Sequence, residues 1–208
     1  MQVLPDRVRP PVRVLFVGIN PGMRSAAIGH HFAGYSNRFW KLLYEAGLVS
    51  EPIGPEDDVR LPEWGLGITN LIPRATPGID TLSRQEYADG ERVLRRKVRR
   101  LKPDIVALVG VTLFRALFEK GTGVFFQPQR DGGEKKGTGL IFARQIPPET
   151  GQKRGLNGSR NKRPVPFSFE GAWLFVLPNP SGRNANFSYS EMLAVFRALA
   201  RLARRVRR

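Results

Sequence analysis

The chain has 208 residues, 41% of them hydrophobic, which suits one ordinary globular domain with a sizeable core. Lysine and arginine number 34 against 18 aspartates and glutamates, giving a formal net charge of +16 and an isoelectric point near 11.2. Such a surface draws polyanions, and nucleic acid, an anionic membrane or an acidic protein all satisfy the charge, but no apolar run reaches the roughly 20 residues that span a bilayer.

Cysteine is absent, which removes disulfides and thiolate metal sites. The two histidines, His30 and His31, are adjacent and do not converge on a metal without further ligands, so neither metal nor cofactor is expected. The opening residues lack the apolar core of a secretory signal, and the expected location is cytoplasmic.

In chain order, residues 12–17 form an apolar run of strand length that stops at Gly18-Ile19-Asn20-Pro21-Gly22, a tight turn with one amide at its tip. A strand end that presents a single polar group is where an open α/β sheet places its ligand. Residues 37–46 read as a helix closed by Gly47, and 67–71 as a strand. Ser83 and Glu86 have the spacing of a capping box, opening a helix that runs to about Leu101. A strand follows at 105–109, then a shorter helix at 111–119 that Gly121 stops.

Residues 127–166 break the alternation: rich in Gly, Pro, Lys and Arg, they read as a long basic loop with a short strand near 140–143. A strand at 173–177 feeds a second Asn-Pro loop, from Pro178 to Asn184. The last helix, 190 to about 206, puts Met192, Leu193, Val195, Phe196, Leu199 and Leu202 on one face and its arginines largely on the other. This alternation predicts a single three-layer α/β domain over residues 1–208, with a central, mostly parallel sheet and helices on both faces. The two Asn-Pro loops are expected to form opposite walls of one cleft.

Five short motifs stand in order: Gly18-Ile19-Asn20-Pro21-Gly22, Gly29-His30-His31-Phe32, Asn37-Arg38-Phe39-Trp40-Lys41, Gly67-Ile68-Thr69-Asn70-Leu71 and Asn179-Pro180-Ser181-Gly182. Together they resemble the mismatch-specific uracil/thymine DNA glycosylases, over nearly the whole chain. The resemblance implies a uracil-DNA-glycosylase-like fold and a monofunctional, monomeric enzyme of base excision repair. Such an enzyme flips uracil or a related pyrimidine out of duplex DNA and hydrolyses its N-glycosidic bond. It also implies that Phe32 stacks on the base and that Ser25 lies near the base C5, in a pocket completed by Ile19. The basic loop at 127–166 has no counterpart in shorter relatives.

The chemistry fits these residue types. Glycosidic hydrolysis gives the sugar oxocarbenium character while negative charge collects on the departing base. A site must therefore hold a water at C1′ and stabilise the anion with fixed donors. Asn20 can hold a water through its oxygen and its NH₂ group, but an amide takes no proton at neutral pH, so the expected catalysis is slow. The glycines around Ile19 let backbone groups approach the edge of a flipped base. Ser181, Gly182, Arg183 and Asn184 read as a DNA wedge that fills the vacated stack, with Arg183 where some relatives carry an aliphatic side chain. A guanidinium there can bond guanine or a phosphate.

Asp89 is a second catalytic candidate. Facing inward it can activate water or stabilise the cationic sugar; facing outward it merely complements the helix dipole. The other residues also have plainer uses: Asn20 bonding its own turn, Ser25 as a helix N-terminal serine, Phe32 as a core aromatic, and the arginine runs as solvated faces. Two further function classes are a nonenzymatic basic nucleic-acid-binding protein on the same fold and a nucleotide hydrolase cradling phosphate at residues 18–22. The latter lacks the Gly-Lys-Ser/Thr ending, and Ser181 lacks the Gly-x-Ser-x-Gly context of a nucleophile.

Overall fold

The computed structural model of the chain describes residues 3–118, 124–126, 139–143 and 165–206. Its strands are β1 (Val14–Gly18), β2 (Leu66–Asn70), β3 (Ile105–Val109), β4 (Val124–Phe126), β5 (Gly139–Ala143), β6 (Val165–Pro166), β7 (Ser168–Phe169) and β8 (Ala172–Leu177). The helices are α1 (Met23–Ile28), α2 (Phe39–Glu45), α3 (Arg84–Leu101), α4 (Val111–Phe118) and α5 (Tyr189–Arg205), with a 3-10 helix at Pro55–Trp64.

The sheet is built on a parallel core in the order β2-β1-β3-β8 and extends beyond β8 through antiparallel β5 and β4. The short strands β6 and β7 pair antiparallel with β5 and β8. In the core, β1 connects outward to β2, whereas β3 lies on its other side, so the winding reverses between β1 and β3. Ligands of open α/β sheets bind outside the carboxyl ends of the strands at that reversal.

Strands buried on both faces read as continuous apolar runs rather than alternations, and β1 does so. Val14 and Phe16 join one core with β2, α2 and α5, while Leu15 and Val17 join another with α3 and α4. Helices thus cover both faces, as the alternation of elements predicted. The capping box of α3 forms as read, with Ser83 Oγ accepting from Glu86 N at 3.2 Å and Glu86 Oε2 accepting from Ser83 N at 2.9 Å. Helix α5 begins one residue earlier than expected because Ser188 and Glu191 make a second capping box. Helix α2 starts at Phe39 because Asn37 stays outside it, its Oδ1 accepting from Phe39 N at 2.9 Å.

The expected helix at 111–119 is described to Phe118 and the short strand near 140–143 is β5. The stop at Gly121 and most of the basic loop lie outside the described residues. Among the described residues, no helix is long and apolar enough to cross a membrane, and no group of three or more His, Cys, Asp or Glu side chains is placed to hold a metal ion.

Candidate active site

The carboxyl ends of β1, β2, β3 and β8 open onto a cleft of about 260 Å³. Its walls include Gly18, Ile19, Asn20 and Pro21 from the first Asn-Pro turn, Asn70 and Val109 from the ends of β2 and β3, and Asn179 and Ser181 from the second. The two similar loops therefore line the same cavity, joined by Ser25, His31 and Phe32 on one side and by Thr76 to Ile79 on another.

Asn20 is fixed by its nitrogen. Its Nδ2 donates to Thr76 Oγ1 at 2.7 Å, to Arg74 O at 3.2 Å and to Pro21 O at 3.3 Å. Two of those acceptors are carbonyls, which can only accept, so the amide group facing them is the NH₂ and Oδ1 is the remaining acceptor. This differs from the expectation that oxygen and NH₂ together hold a water: the NH₂ group is spent on the neighbouring loop. Thr76 Oγ1 in turn donates to Gly78 O, and Thr76 N donates to Pro21 O at 3.2 Å. The loop is anchored at its root by Arg74, whose guanidinium donates to both Glu86 carboxylate oxygens at 2.9 and 3.1 Å and to Thr81 O at 3.1 Å. Arg74 beside it, aided by Ser83 N, holds the Glu86 carboxyl down to about 2.

Phe32 occupies the left-handed region at φ 50° and stacks on Phe39 at 4.3 Å between ring centroids. A side chain in that conformation is strained unless its surroundings impose it, and here several bonds do. Asp58, fully buried on the 3-10 helix, accepts from His31 N at 3.0 Å, pairs with Arg7 Nε at 3.0 Å and meets His30 Nδ1 at 3.1 Å. Arg7 Nη2 donates to Gly29 O, and Trp40 Nε1 to His31 O. Ser25 sits in α1 with its Oγ accepting from Ala33 N at 3.0 Å, so the hydroxyl that lines the cleft also ties down the far end of the Phe32 loop.

His31 is buried, and burial pushes its pKa below the usual 6.5. Its Nε2 lies 3.0 Å from Pro5 O, an acceptor, so the neutral ring carries its proton there and offers Nδ1 toward Asn70 Nδ2, 3.5 Å away. Asn70 packs against β1: a Cβ on Gly18 would stand 2.6 Å from Asn70 Oδ1 and 3.5 Å from the Phe32 ring, which is why the turn begins with glycine. The Ile19 carbonyl is engaged by Ile72 N at 2.8 Å and the Gly18 carbonyl by Leu71 N at 2.8 Å, which ties the turn to the end of β2.

The second loop is braced by its own side chains. Asn179 Oδ1 accepts from Ser181 N at 3.0 Å, Ser181 Oγ from Arg183 N at 3.3 Å, and Asn184 Nδ2 donates back to Asn179 O at 2.8 Å. Gly182 lies so close to the first half of the molecule that a Cβ would stand 2.5 Å from Ser36 Cβ. Arg183 is exposed at the tip. Of the four residues read as a wedge, Arg183 is thus the one pointing to solvent, while Ser181 and Asn184 shape the turn that carries it.

Asp89 is not brought to this cleft. It lies exposed on α3, accepting from Gln85 Nε2 at 3.1 Å and paired with Arg92, whose guanidinium depresses its carboxyl pKa. It lines a separate cavity of about 400 Å³ beside β2. Conversely, the cleft contains polar side chains for which the sequence suggested no role, among them His31, Asn70 and Thr76. Asn70 carried a usable signal, since it ends β2 as Asn20 follows β1. Thr76 carried none, because its role comes from a loop folding back over 56 residues of separation.

A sheet that reverses its winding at β1/β3, with paired loops lining one small cleft at the strand ends, has the architecture in which open α/β proteins bind a ligand. The family model described as the uracil DNA glycosylase superfamily matches residues 5–201, and the chain belongs to that superfamily. Membership identifies it as a DNA glycosylase, a hydrolase of DNA repair.

Proposed function

We propose that the protein is a mismatch-specific, monofunctional glycosylase that extrudes uracil from duplex DNA and hydrolyses its N-glycosidic bond. The observation that carries this reading is the Asn20 amide, locked through its nitrogen and lining a cleft shared with the second Asn-Pro loop. In this reading Oδ1 of Asn20 orients a water toward C1′. The C1′–N1 bond breaks with its electron pair passing to the base, the water oxygen bonds to C1′ and its proton leaves to solvent. N–H groups around Ile19 stabilise the base anion. Phe32 stacks on the extruded ring, Ser25 bounds the pocket, and Arg183, carried by Ser181, Gly182 and Asn184, enters the gap left in the duplex. Asp89, exposed and paired with Arg92, has no step in this scheme.

The support is chemical as well as geometric. The cleft offers an acceptor, an aromatic face and backbone donors, which is the set that a neutral pyrimidine and an incoming water require. Incubation with a duplex bearing one G·U pair is expected to leave it alkali-labile at the uracil. Asn20→Ala is expected to slow this by about 10²–10³-fold with DNA affinity nearly intact. Tight binding without any abasic product at excess protein would instead establish a nonenzymatic nucleic-acid-binding protein on this fold, and nucleotide-dependent phosphate release would establish a nucleotide hydrolase.

A further inference from the structure

Helices α3 and α5 carry the same charge pattern. Arg92, Arg96 and Arg100 recur every four residues along α3, and Arg197, Arg201 and Arg205 do so along α5, all of them exposed. Like charges one turn apart repel, so this spacing weakens the helices rather than supporting them. The helix dipole favours cations in the last turn only, which accounts for Arg100 and Arg205 but not for Arg96 or Arg201. Arg92 is paired with Asp89, and Arg99 with Glu170. Among the described residues, Arg96, Arg100, Arg201, Arg204 and Arg205 pair with no carboxylate. A pattern that stability does not call for points to a partner.

Both helices start beside the cleft and run away from it. Ser83 caps α3 shortly after Ile79, which lines the cleft, and Ser188 caps α5 shortly after Asn184 of the second loop. Arg100 and Arg205 lie near the other ends, about 26 Å along each axis from the cap. The helices pack on opposite faces of the sheet and end where its strands begin: Leu101 leads into β3, and Leu202 packs on the same core as Trp173 of β8. At physiological salt the Debye length is about 8 Å, so charges this far from the cleft add little to the hold on a duplex seated there. Glu170, in the turn that enters β8, is already bonded by Arg95 and Arg99.

We propose that this far edge, with Arg96, Arg100, Lys102, Arg201, Arg204 and Arg205, grips the phosphate backbone of a second DNA duplex, so that one molecule bridges two segments. A duplex carries one negative charge per roughly 1.7 Å of its axis, dense enough for cations on two separate helices to engage it together. All but one of these six side chains are arginine, whose planar fork matches phosphate oxygens where lysine is only a point charge. No large apolar side chain is exposed in the last two turns of either helix, which is what seating on a membrane surface would need. A molecule held at this edge can sample a new segment with its cleft without leaving the first. The inference goes beyond the base-excision reading and does not need it.

The test uses the full-length protein and a variant combining Arg96→Gln, Arg100→Gln, Arg201→Gln and Arg205→Gln. A short uracil-free duplex is fixed to beads, protein is bound, and retention of a labelled free duplex is measured; sedimentation equilibrium with excess short duplex gives the stoichiometry. Wild type is expected to retain the labelled duplex and to sediment as one chain with two duplexes. The variant is expected to retain about ten-fold less or lower still, as phosphate contacts are lost, and to sediment as one chain with one duplex. Its binding to the bead-bound duplex and its uracil release from a short G·U duplex are expected to stay within about three-fold of wild type, which shows the fold intact. Wild-type complexes of one chain with one duplex, or of two chains with two duplexes, overturn the proposal. So does retention by the variant equal to wild type, or an equal loss of binding to the first duplex. Displacement of the labelled duplex by phosphatidylserine vesicles or a structured RNA, at lower phosphate concentration than by unlabelled duplex, overturns the choice of DNA. Should wild type hold two duplexes yet release no uracil, the excision reading falls and the bridging stands.

Discussion

Thr76→Val tests whether the Asn20 amide works by being held still. Thr76 is buried, and its hydroxyl makes two bonds, accepting from Asn20 Nδ2 at 2.7 Å and donating to Gly78 O. Valine keeps the shape and removes both. A hydrogen bond contributes a net 0.5–1.5 kcal/mol on average, so the loss lies at about 1–3 kcal/mol, and the exposed position of Gly78 lets its carbonyl rehydrate and moves the figure toward the lower end. For a chain of this size each kcal/mol lowers Tm by roughly 2–4 °C, so a drop of about 3–6 °C is expected. The kinetic effect is larger, because the remaining bonds to Arg74 O and Pro21 O, at 3.2 and 3.3 Å, no longer fix the amide plane. A reacting group misplaced by about 1 Å loses roughly 10²-fold, so single-turnover uracil release is expected to fall between about 10- and 100-fold. Thr76→Ser, which keeps the hydroxyl, should stay within about three-fold of wild type. Release by Thr76→Val at the wild-type rate, with Asn20→Ala inactive, would refute the argument that the loop orients the amide.

Three other perturbations address separate parts of the cleft. Gly182→Ala drives a Cβ to 2.5 Å from Ser36 Cβ and 2.8 Å from Ser36 O and displaces the second loop, so base release from a duplex is expected to fall about ten-fold, with Ser36→Gly restoring only part of it in the double variant because the backbone contact remains. Arg183→Ala is expected to reduce the preference for uracil opposite guanine by about ten-fold, one bidentate contact, whereas a uniform loss with a salt dependence shallower by about one unit would assign the side chain to a phosphate. His31 is buried as the neutral ring, so its folded pKa lies below the unfolded 6.5 and the unfolded chain takes up the proton first as the pH falls. Its contribution is complete above pH 6.5 and is lost below it; thermal melts are expected to show declining stability on that acid side, less steeply in His31→Gln.

The parallel core was legible because its signals are local. Each strand of β1, β3 and β8 is a continuous apolar run, and α3 and α5 carry capping boxes and long amphipathic faces. Helix α1, six residues long, is too short to show a period, and the 3-10 helix, with Pro55 at its start and Pro62 inside, has no helical pattern to read. The cleft was partly legible: strand ends point to Asn20 and to the second loop, and hence to the side of the sheet on which they meet. What no local pattern reveals is which polar groups are already spent. Asn20's nitrogen, Asn184's amide and Ser25's hydroxyl are all committed to neighbouring backbone or side-chain groups, and Asp89 turns outward because Arg92 and Gln85 lie one turn away on its own helix.

The distribution of charge leads to a last prediction. The chain carries +16, yet among the described residues no Asp, Glu, Lys or Arg lines the cleft that holds Asn20. That excess is what remains after every acid is counted, so the ion pairs of Arg95 with Glu91 and Glu170 and of Arg99 with Glu170 take nothing from it. Among the described residues the exposed cations, such as Arg183 and Arg92, lie outside that cleft and within reach of ions in solution. Capture of DNA and cleavage of the bond are therefore separable in salt. Phosphate contacts release counterions, so affinity should fall steeply between about 50 and 200 mM salt, by on the order of 10³-fold if six phosphates are neutralised. In the proposed scheme the base anion is met inside the cleft by fixed N–H dipoles, which salt screens far less than it screens exposed charges. The single-turnover rate constant at saturating protein is accordingly expected to change by less than about two-fold over the same range. A rate constant that falls in parallel with affinity would mean that an exposed cation takes part in the bond-breaking step, and the uncharged cleft would no longer account for the chemistry by itself.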